Sequence, residues 1–301
     1  LDSTRPLLNR AIAGVYPPAS VFKLVTSGAG LEHGLLSVNK YYPHLCDGGY
    51  RFGNRYQKCW GVHGNLNVVN ALRLSCDVYF YQAGLEIDME RINEFGRRFG
   101  LGEEVLGIDI PGERRGWLPD SASFNKRNKR SGWRWARGLI LNLSIGQGQL
   151  VTPLQQAVLV GSLATNAGVY KPHLMKELRD RSGKVIKKFE PEIIRSGQMK
   201  ESTHKVILAG LDSVVNHPGG TGKRGAVKGI RVGGKTGSGE WKKGEKTHAW
   251  FAGVAPLYAP EIAVSVILEA AGGGGALAAP IARQVMEAYF SRDSLTIGNN
   301  K

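Results

Sequence analysis

Apolar residues at helical spacing mark the first ordered segment. Val21, Leu24, Val25 and Leu31 recur on one face of a helix predicted from Ala19 to about His33, closed by Gly34. Pro17 and Pro18 stand just before it, where proline cannot continue an earlier helix but can lead into a new one. Pro6 to Gly14 is mixed and reads as mobile, and residues 40–66, rich in Gly, Tyr and Cys, read as an irregular loop. Val68 to Ser75 reads as helix, Val78 to Leu85 continues the apolar pattern, and Glu90 to Phe99 is an amphipathic helix stopped by Gly100. Residues 107–137 read as a basic loop. A second long helix spans Leu150 to Ala167 and begins through Thr152-Pro153. Two strand-like pieces between Lys171 and Phe189 flank Arg181-Ser182-Gly183, a hairpin signal, and Thr203 to Val215 is helical. Three strands follow, Arg231 to Ser238, Thr247 to Ala255 and Glu261 to Leu268, the last alternating Ile262, Val264, Val266, Leu268. Ala278 to Phe290 is a closing helix, and residues 291–301 read as a flexible tail. No internal repeat is present.

Composition narrows this picture. A chain of 301 residues that is 42% hydrophobic can bury a proper core, which excludes a disordered or fibrous chain. No uncharged apolar stretch is long enough to span a bilayer; the best one, Ile262 to Ala279, is broken by Glu269 and a glycine run. With no initiator Met and no signal peptide, the sequence reads as a fragment of a longer protein. The net charge of +15 favours an anionic partner, whether nucleic acid, anionic lipid or an acidic polymer. The densest basic run, Lys126 to Arg137, is interleaved with Trp133 and Trp135, and reads either as a solvated loop or as a surface facing a membrane or acidic polymer.

Candidate chemistry starts at Ser20-Val21-Phe22-Lys23. Residues three apart share a helix face, so the Ser20 hydroxyl and the Lys23 amine are expected within hydrogen-bonding reach, at a helix N-terminus that favours developing negative charge. Serine needs a base to become a nucleophile, and lysine is that base only when its amine loses its proton. Alone this spacing is common. It is followed by Ser75-Cys76-Asp77 and then, on a predicted strand, by Lys235-Thr236-Gly237 with Gly233-Gly234 before it and Ser238-Gly239 after it. S-x-x-K, S-x-[DN] and K-T-G in that order are the serine acyl-enzyme set of penicillin-binding proteins and class A β-lactamases.

On those motifs the sequence resembles the transpeptidase domain of class B penicillin-binding proteins, most like the elongation-specific penicillin-binding protein 2 group. The resemblance runs from about Leu7 to Phe290. It includes Tyr16-Pro17-Pro18-Ala19-Ser20, His63-Gly64-Asn65-Leu66-Asn67, Ser75-Cys76-Asp77-Val78-Tyr79-Phe80-Tyr81 and Ser144-Ile145-Gly146-Gln147-Gly148. It implies an α+β fold, an antiparallel sheet flanked by helices plus a mostly helical subdomain. The transpeptidase domain would take up residues 1–290, with the helical subdomain at roughly 34–200. The sheet subdomain would be built from strands within 231–268 and helices 19–33 and 278–290. It further implies D,D-transpeptidase activity, which cross-links peptidoglycan stem peptides through a serine acyl-enzyme and is trapped by β-lactams. Ser20 would be acylated, Lys23 would be its base, Ser75 would relay a proton to the leaving group, and Asp77 would hold the motif where many relatives have Asn. Lys235 would add charge that lowers the Lys23 pKa and attracts the substrate carboxylate. Thr236 and Gly237 of the third motif and Ser238 would line the substrate site, with Thr236 bonded to that carboxylate. The N–H groups of Ser20 and Ser238 would form the oxyanion hole. Glycan-polymerising and elongation-complex membrane proteins are the implied partners, at the periplasmic face of the inner membrane.

The cysteines add a second constellation, Cys46-x12-Cys59-x3-His63-x12-Cys76. Three thiolates and an imidazole suffice for tetrahedral zinc, and with four protein ligands the ion would be structural. Three unrelated thiols, or a disulfide plus one free thiol in an oxidising compartment, are the competing readings. The resemblance implies a zinc site in this segment in some relatives, with mixed Asp, His and Cys ligands. Cys46 and Cys59 then replace aspartates, His63 and Cys76 match directly, and Asp47 is the reserve first ligand.

The pattern departs from the family in one respect. The hairpin that normally precedes the nucleophile helix, the membrane anchor and the N-terminal pedestal are not in this sequence, so three sheet strands are expected instead of five. A β-lactamase would need a base for a deacylating water, and no motif offers one. A D,D-carboxypeptidase and a β-lactam sensor domain share the motifs. A nucleic-acid module would account for the charge but not for the three ordered motifs, so no nucleic acid partner is expected.

Overall fold

The computed structural model describes residues 5–297. After a single turn, α1 (Arg10–Ala13), a 3-10 turn over Ala19–Phe22 leads directly into α2 (Lys23–Glu32). The predicted helix therefore starts tighter than an α-helix. Pro17 and Pro18 deny it a preceding turn, and Ala19 sits at φ 51°. Residues 23–30 of α2 are all buried, as a helix surrounded by core requires.

Within the segment expected to be irregular, β1 (Gly49–Phe52) and β2 (Arg55–Lys58) form an antiparallel hairpin across Gly53-Asn54. Its faces are mostly solvated, so no apolar alternation announced it. α3 (Val68–Leu74) is capped by Asn67, whose side chain accepts the Asn70 N–H, and ends at Ser75 with φ 52°. α4 (Asp77–Ile87) and α5 (Met89–Arg98) follow. The basic stretch contains α6 (Ser121–Arg127), started by an Asp120/Ser123 capping box, and α7 (Leu139–Ser144) comes next. α8 (Pro153–Thr165) opens with Thr152 and Gln155 capping each other and proline in its first turn.

Two short pairs come next. β3 (Val169–Tyr170) pairs with a strand further on, and the predicted hairpin is β4 (Glu177–Arg179) with β5 (Val185–Lys188). The partner of β3 is β6 (Ile193–Arg195). After α9 (Glu201–Asn216), the strands β7 (Gly233–Gly239), β8 (His248–Ala255) and β9 (Ile262–Leu268) form an antiparallel sheet in the order β7-β8-β9. This is the three-stranded sheet expected. α10 (Gly274–Ile297) closes the fold. The flexible tail predicted from residue 291 is instead helical as far as Ile297, and residues 298–301 lie outside the described residues.

β8 is buried along its whole length and divides two cores by strand alternation. Trp250, Ala252 and Val254 join the large cluster that includes Phe22, Leu24, Leu159 and Leu163. Ala249 and Phe251 face the other way, toward Ala278, Ala282 and Met286 of α10. The nucleophile turn is pressed against β7, where a Cβ on Gly237 would lie 3.1 Å from Ala19 Cβ. The glycine run that breaks the apolar stretch has a steric cause as well. A Cβ on Gly274 would come within 2.0 Å of Trp250 O and 2.5 Å of Gly237 O, so α10 can start against the sheet only without a side chain there.

Candidate active site

The three motifs meet in one place. Ser20, Ser75, Asp77, Thr236, Gly237 and Ser238 all line a single cleft of about 1110 Å³. Lys23 and Lys235 lie beneath its floor, both fully buried. Lys23 Nζ donates to Ser75 O at 2.8 Å, to Ser75 Oγ at 3.3 Å and to Asp77 Oδ1 at 2.6 Å. Lys235 Nζ donates to Ser75 Oγ at 2.9 Å and to Thr236 O at 3.1 Å. The expected Ser20–Lys23 hydrogen bond is not formed among the described residues. The cause is electrostatic: a buried ammonium is stable only beside a counter-ion, and Asp77 supplies it.

The Lys235 amine is held well below its usual range, by burial first and by the Lys23 charge second, while Asp77 pulls the other way. A depressed lysine makes the unfolded chain bind more protons between the folded value and the ordinary 10.5, so its penalty is present at low pH and is relieved as pH rises through that window. Lys235→Met removes the buried amine. Urea unfolding between pH 6 and pH 10 is expected to show wild-type stability rising relative to the variant; parallel curves would contradict the assignment.

Two residues of this site hold left-handed backbone, Ala19 at φ 51° and Ser75 at φ 52°. Such conformations cost roughly 1–3 kcal/mol each and persist where neighbours over-determine them. Around Ala19, its N–H donates to Gly146 O at 3.0 Å, and the carbonyls of Pro17 and Pro18 accept from Trp250 Nε1 and Gln156 Nε2. The Ser75 carbonyl accepts from Lys23 and, at 3.1 Å, from Trp60 Nε1.

β7 is an edge strand, and its free side faces the cleft. Gln147 Nε2 donates to Ser238 O at 3.1 Å, and Gln147 Oε1 accepts the Glu240 N–H at 3.2 Å. In an antiparallel ladder the N–H and C=O of one residue point to the same side, so the Ser238 N–H also points away from β8. Ser20 is the second residue of the 3-10 turn, at the end where backbone N–H groups have no partner within the helix. The Ser238 N–H expected in an oxyanion hole is thus on the free side of β7. Thr236 Oγ1 donates to Thr221 Oγ1 at 2.8 Å.

The cysteine segment forms a second cluster that touches the first. One ligand atom from each of Cys46, Cys59, His63 and Cys76 lies within 4.8 Å of all the others. His63 Nδ1 is 3.4 Å from Cys46 Sγ and 3.5 Å from Cys59 Sγ. A tetrahedral zinc with S and N ligands has edges of roughly 3.5–3.8 Å; the two His63 distances match that spacing, while the set as a whole spreads over up to 4.8 Å. The three cysteines are free of disulfides. Asp47, the reserve ligand, does not join the cluster; its carboxylate lies 3.8 Å from His44 Nε2. Cys59 is pulled down to about 4, first by the hydrogen bond from Cys76 and against its own burial, while Cys46 is pushed up by burial and Cys76 by its bond to Cys59. Asp77 joins the two clusters: its N–H donates to Cys59 Sγ at 3.3 Å while its carboxylate holds Lys23.

The penicillin binding protein transpeptidase domain matches residues 2–287. The chain belongs to this family. Peptidoglycan D,D-transpeptidase MrdA of Haemophilus influenzae is 34% identical over 317 residues, covering 97% of this chain and 47% of that protein. The crystal structure of Pseudomonas aeruginosa PBP2 in complex with WCK 5153 is 30% identical with a TM-score of 0.79, covering 96% of this chain and 64% of that one. Helicobacter pylori PBP2 in complex with MreC is also 30% identical, with a TM-score of 0.78 and coverage of 96% and 53%. This penicillin-binding-protein chain spans about half the length of the curated relatives it matches. Among the described residues no helix is long and apolar enough to cross a membrane.

Three further residues of the site have little in the sequence to mark them. Thr221 follows Gly219-Gly220, Gln147 lies inside the Ser144 to Gly148 motif, and Trp60 is next to Cys59. Only Gln147 carried a signal, and its motif gave it no role.

Proposed function

We propose that this chain is the cross-linking unit of a peptidoglycan D,D-transpeptidase, with Ser20 as the acylated nucleophile. The observation that carries this reading is the convergence of Ser20, Ser75 and β7 on one cleft above two buried amines. Two amines share one carboxylate there, so one of them is disfavoured as an ammonium, and Ser75 Oγ, bonded to both, lets a proton pass between them. Lys23, once neutral, takes the Ser20 proton as Oγ attacks the carbonyl of the D-Ala–D-Ala bond. The developing oxyanion meets the N–H groups of Ser20 and Ser238. The C–N bond then breaks, and the leaving amine receives its proton by way of Ser75. The substrate carboxylate is bound by Thr236, whose hydroxyl is oriented by Thr221. An acceptor amine then attacks the ester, forming the cross-link and releasing Ser20. A β-lactam takes the donor's place and stays bound.

We further propose one structural zinc held by Cys46, Cys59, His63 and Cys76, which would lock the 46–63 segment to the second motif. The chain would work at the periplasmic face of the inner membrane, with glycan-polymerising and elongation-complex proteins as partners. A relative in complex with MreC supports a partner of that kind.

Intact-mass analysis after exposure to benzylpenicillin tests the reading. One persistent adduct per chain is expected, mapping to Ser20. Rapid release of hydrolysed drug with no lasting adduct would identify a β-lactamase instead, and no adduct at all would end the acyl-enzyme reading.

A further inference from the structure

Transpeptidation needs a second substrate, and a second cavity opens beside the first. A groove of about 340 Å³ lies behind the β1–β2 hairpin, and Gln57 and Asn142 line both it and the main cleft. Strand alternation divides β2 between them: Tyr56 and Lys58 line the cleft, Arg55 lines the groove, and Gln57 reaches both. Trp133, 58% exposed, forms one groove wall with Arg134 beside it. These residues belong to the basic, tryptophan-bearing run that the catalytic machinery leaves unused. Trp135 anchors that run, its N–H donating to Asn125 Oδ1 at 2.6 Å and its ring meeting Phe124 edge-on at 5.7 Å. Arg55 and Arg134 make no ion pair among the described residues, so two exposed guanidiniums flank an aromatic wall next to the reacting centre.

We propose that this groove binds the acceptor, an anionic stem peptide carrying a free amine, and delivers that amine past Gln57 and Asn142 to the Ser20 ester. The inference rests on the transpeptidase reading and gives that site its second substrate. Guanidinium pairs favour peptide carboxylates, and the Trp133 face covers apolar chain between them. Continuity with the cleft and the opposite charge of the occupant both favour this ligand. In the step itself the amine lone pair forms a C–N bond to the ester carbonyl, the bond from that carbon to Ser20 Oγ breaks, and the proton lost by nitrogen returns to Oγ.

The test follows the acyl-enzyme formed from a thioester analogue of the donor, offered either a synthetic stem tetrapeptide with a side-chain amine or hydroxylamine, which is too small to span the groove. In Trp133→Ala and in Arg134→Glu, acylation by fluorescent penicillin is expected to stay within about twofold of wild type. Transfer to the tetrapeptide is expected to fall about tenfold, the loss typical of removing one aromatic or arginine anchor, with transfer to hydroxylamine unchanged. Unchanged transfer to the tetrapeptide, or an equal fall for both acceptors, overturns the groove as acceptor site. If wild-type protein is acylated by neither penicillin nor the thioester, the transpeptidase reading itself falls, and this inference with it.

Discussion

Ser20→Ala is expected to abolish covalent labelling by a fluorescent penicillin. Labelling should fall on the order of 10⁴-fold or more, the scale on which removal of an acylated serine is felt. The hydroxyls of the other two motifs are already engaged. Ser75 Oγ is bonded by Lys235 and Lys23 on the buried side, and Thr236 Oγ1 is tied to Thr221. The substitution removes one half-buried oxygen and leaves the Ala19 turn and its carbonyl contacts in place. Stability should therefore change by less than about 1 kcal/mol, and thermal melting monitored by circular dichroism separates lost chemistry from lost fold. Labelling that survives in a normally melting variant would show that Ser20 is not the nucleophile.

Stripping the proposed zinc from the cysteine cluster should produce the second-largest effect, and on two readouts together. Zinc binding is worth about 10–16 kcal/mol in small zinc-folded peptides. A third of that, in a domain with its own core, lowers Tm by roughly 5–15 °C. Penicillin labelling should slow in the same samples, because Cys76 sits between Ser75 and Asp77 and the Asp77 N–H is bonded to Cys59 Sγ. Cys59→Ser should behave like chelator-treated protein, and added zinc should restore the wild type but not the variant. Elemental analysis that finds no zinc in protein purified without chelator, or a Tm indifferent to chelation, would remove the metal from the account.

What the sequence made legible was chemistry at fixed spacing. Ser20 with Lys23, Ser75 with Asp77, and Lys235 to Gly237 are short local patterns, and so is Cys59-x3-His63. The alternation of β9 and the long apolar helices were equally plain, because burial on one face imposes a period. What stayed hidden depends on contacts between distant segments. That Lys23 turns to Asp77 and not to Ser20 follows from where α4 begins relative to α2. The β1–β2 hairpin is solvated and carries no alternation. α7 is a short buried helix between a basic run and a glycine-rich motif, too brief for its period to register. Gln147 is an unremarked polar residue until β7 is seen to run beside it.

The carboxamide of Gln147 has a consequence for ligand affinity. It offers the outer rim of β7 one donor and one acceptor, so the Ser238 carbonyl and the Glu240 N–H are already satisfied before a substrate arrives, while the Ser238 N–H is left for the oxyanion. A peptide or drug that aligns along Ser238 and Glu240 exchanges those two bonds and gains in number only the one from the Ser238 N–H. Main-chain pairing then contributes orientation, and the tightness of a good inhibitor has to come from its carboxylate end and its apolar flank.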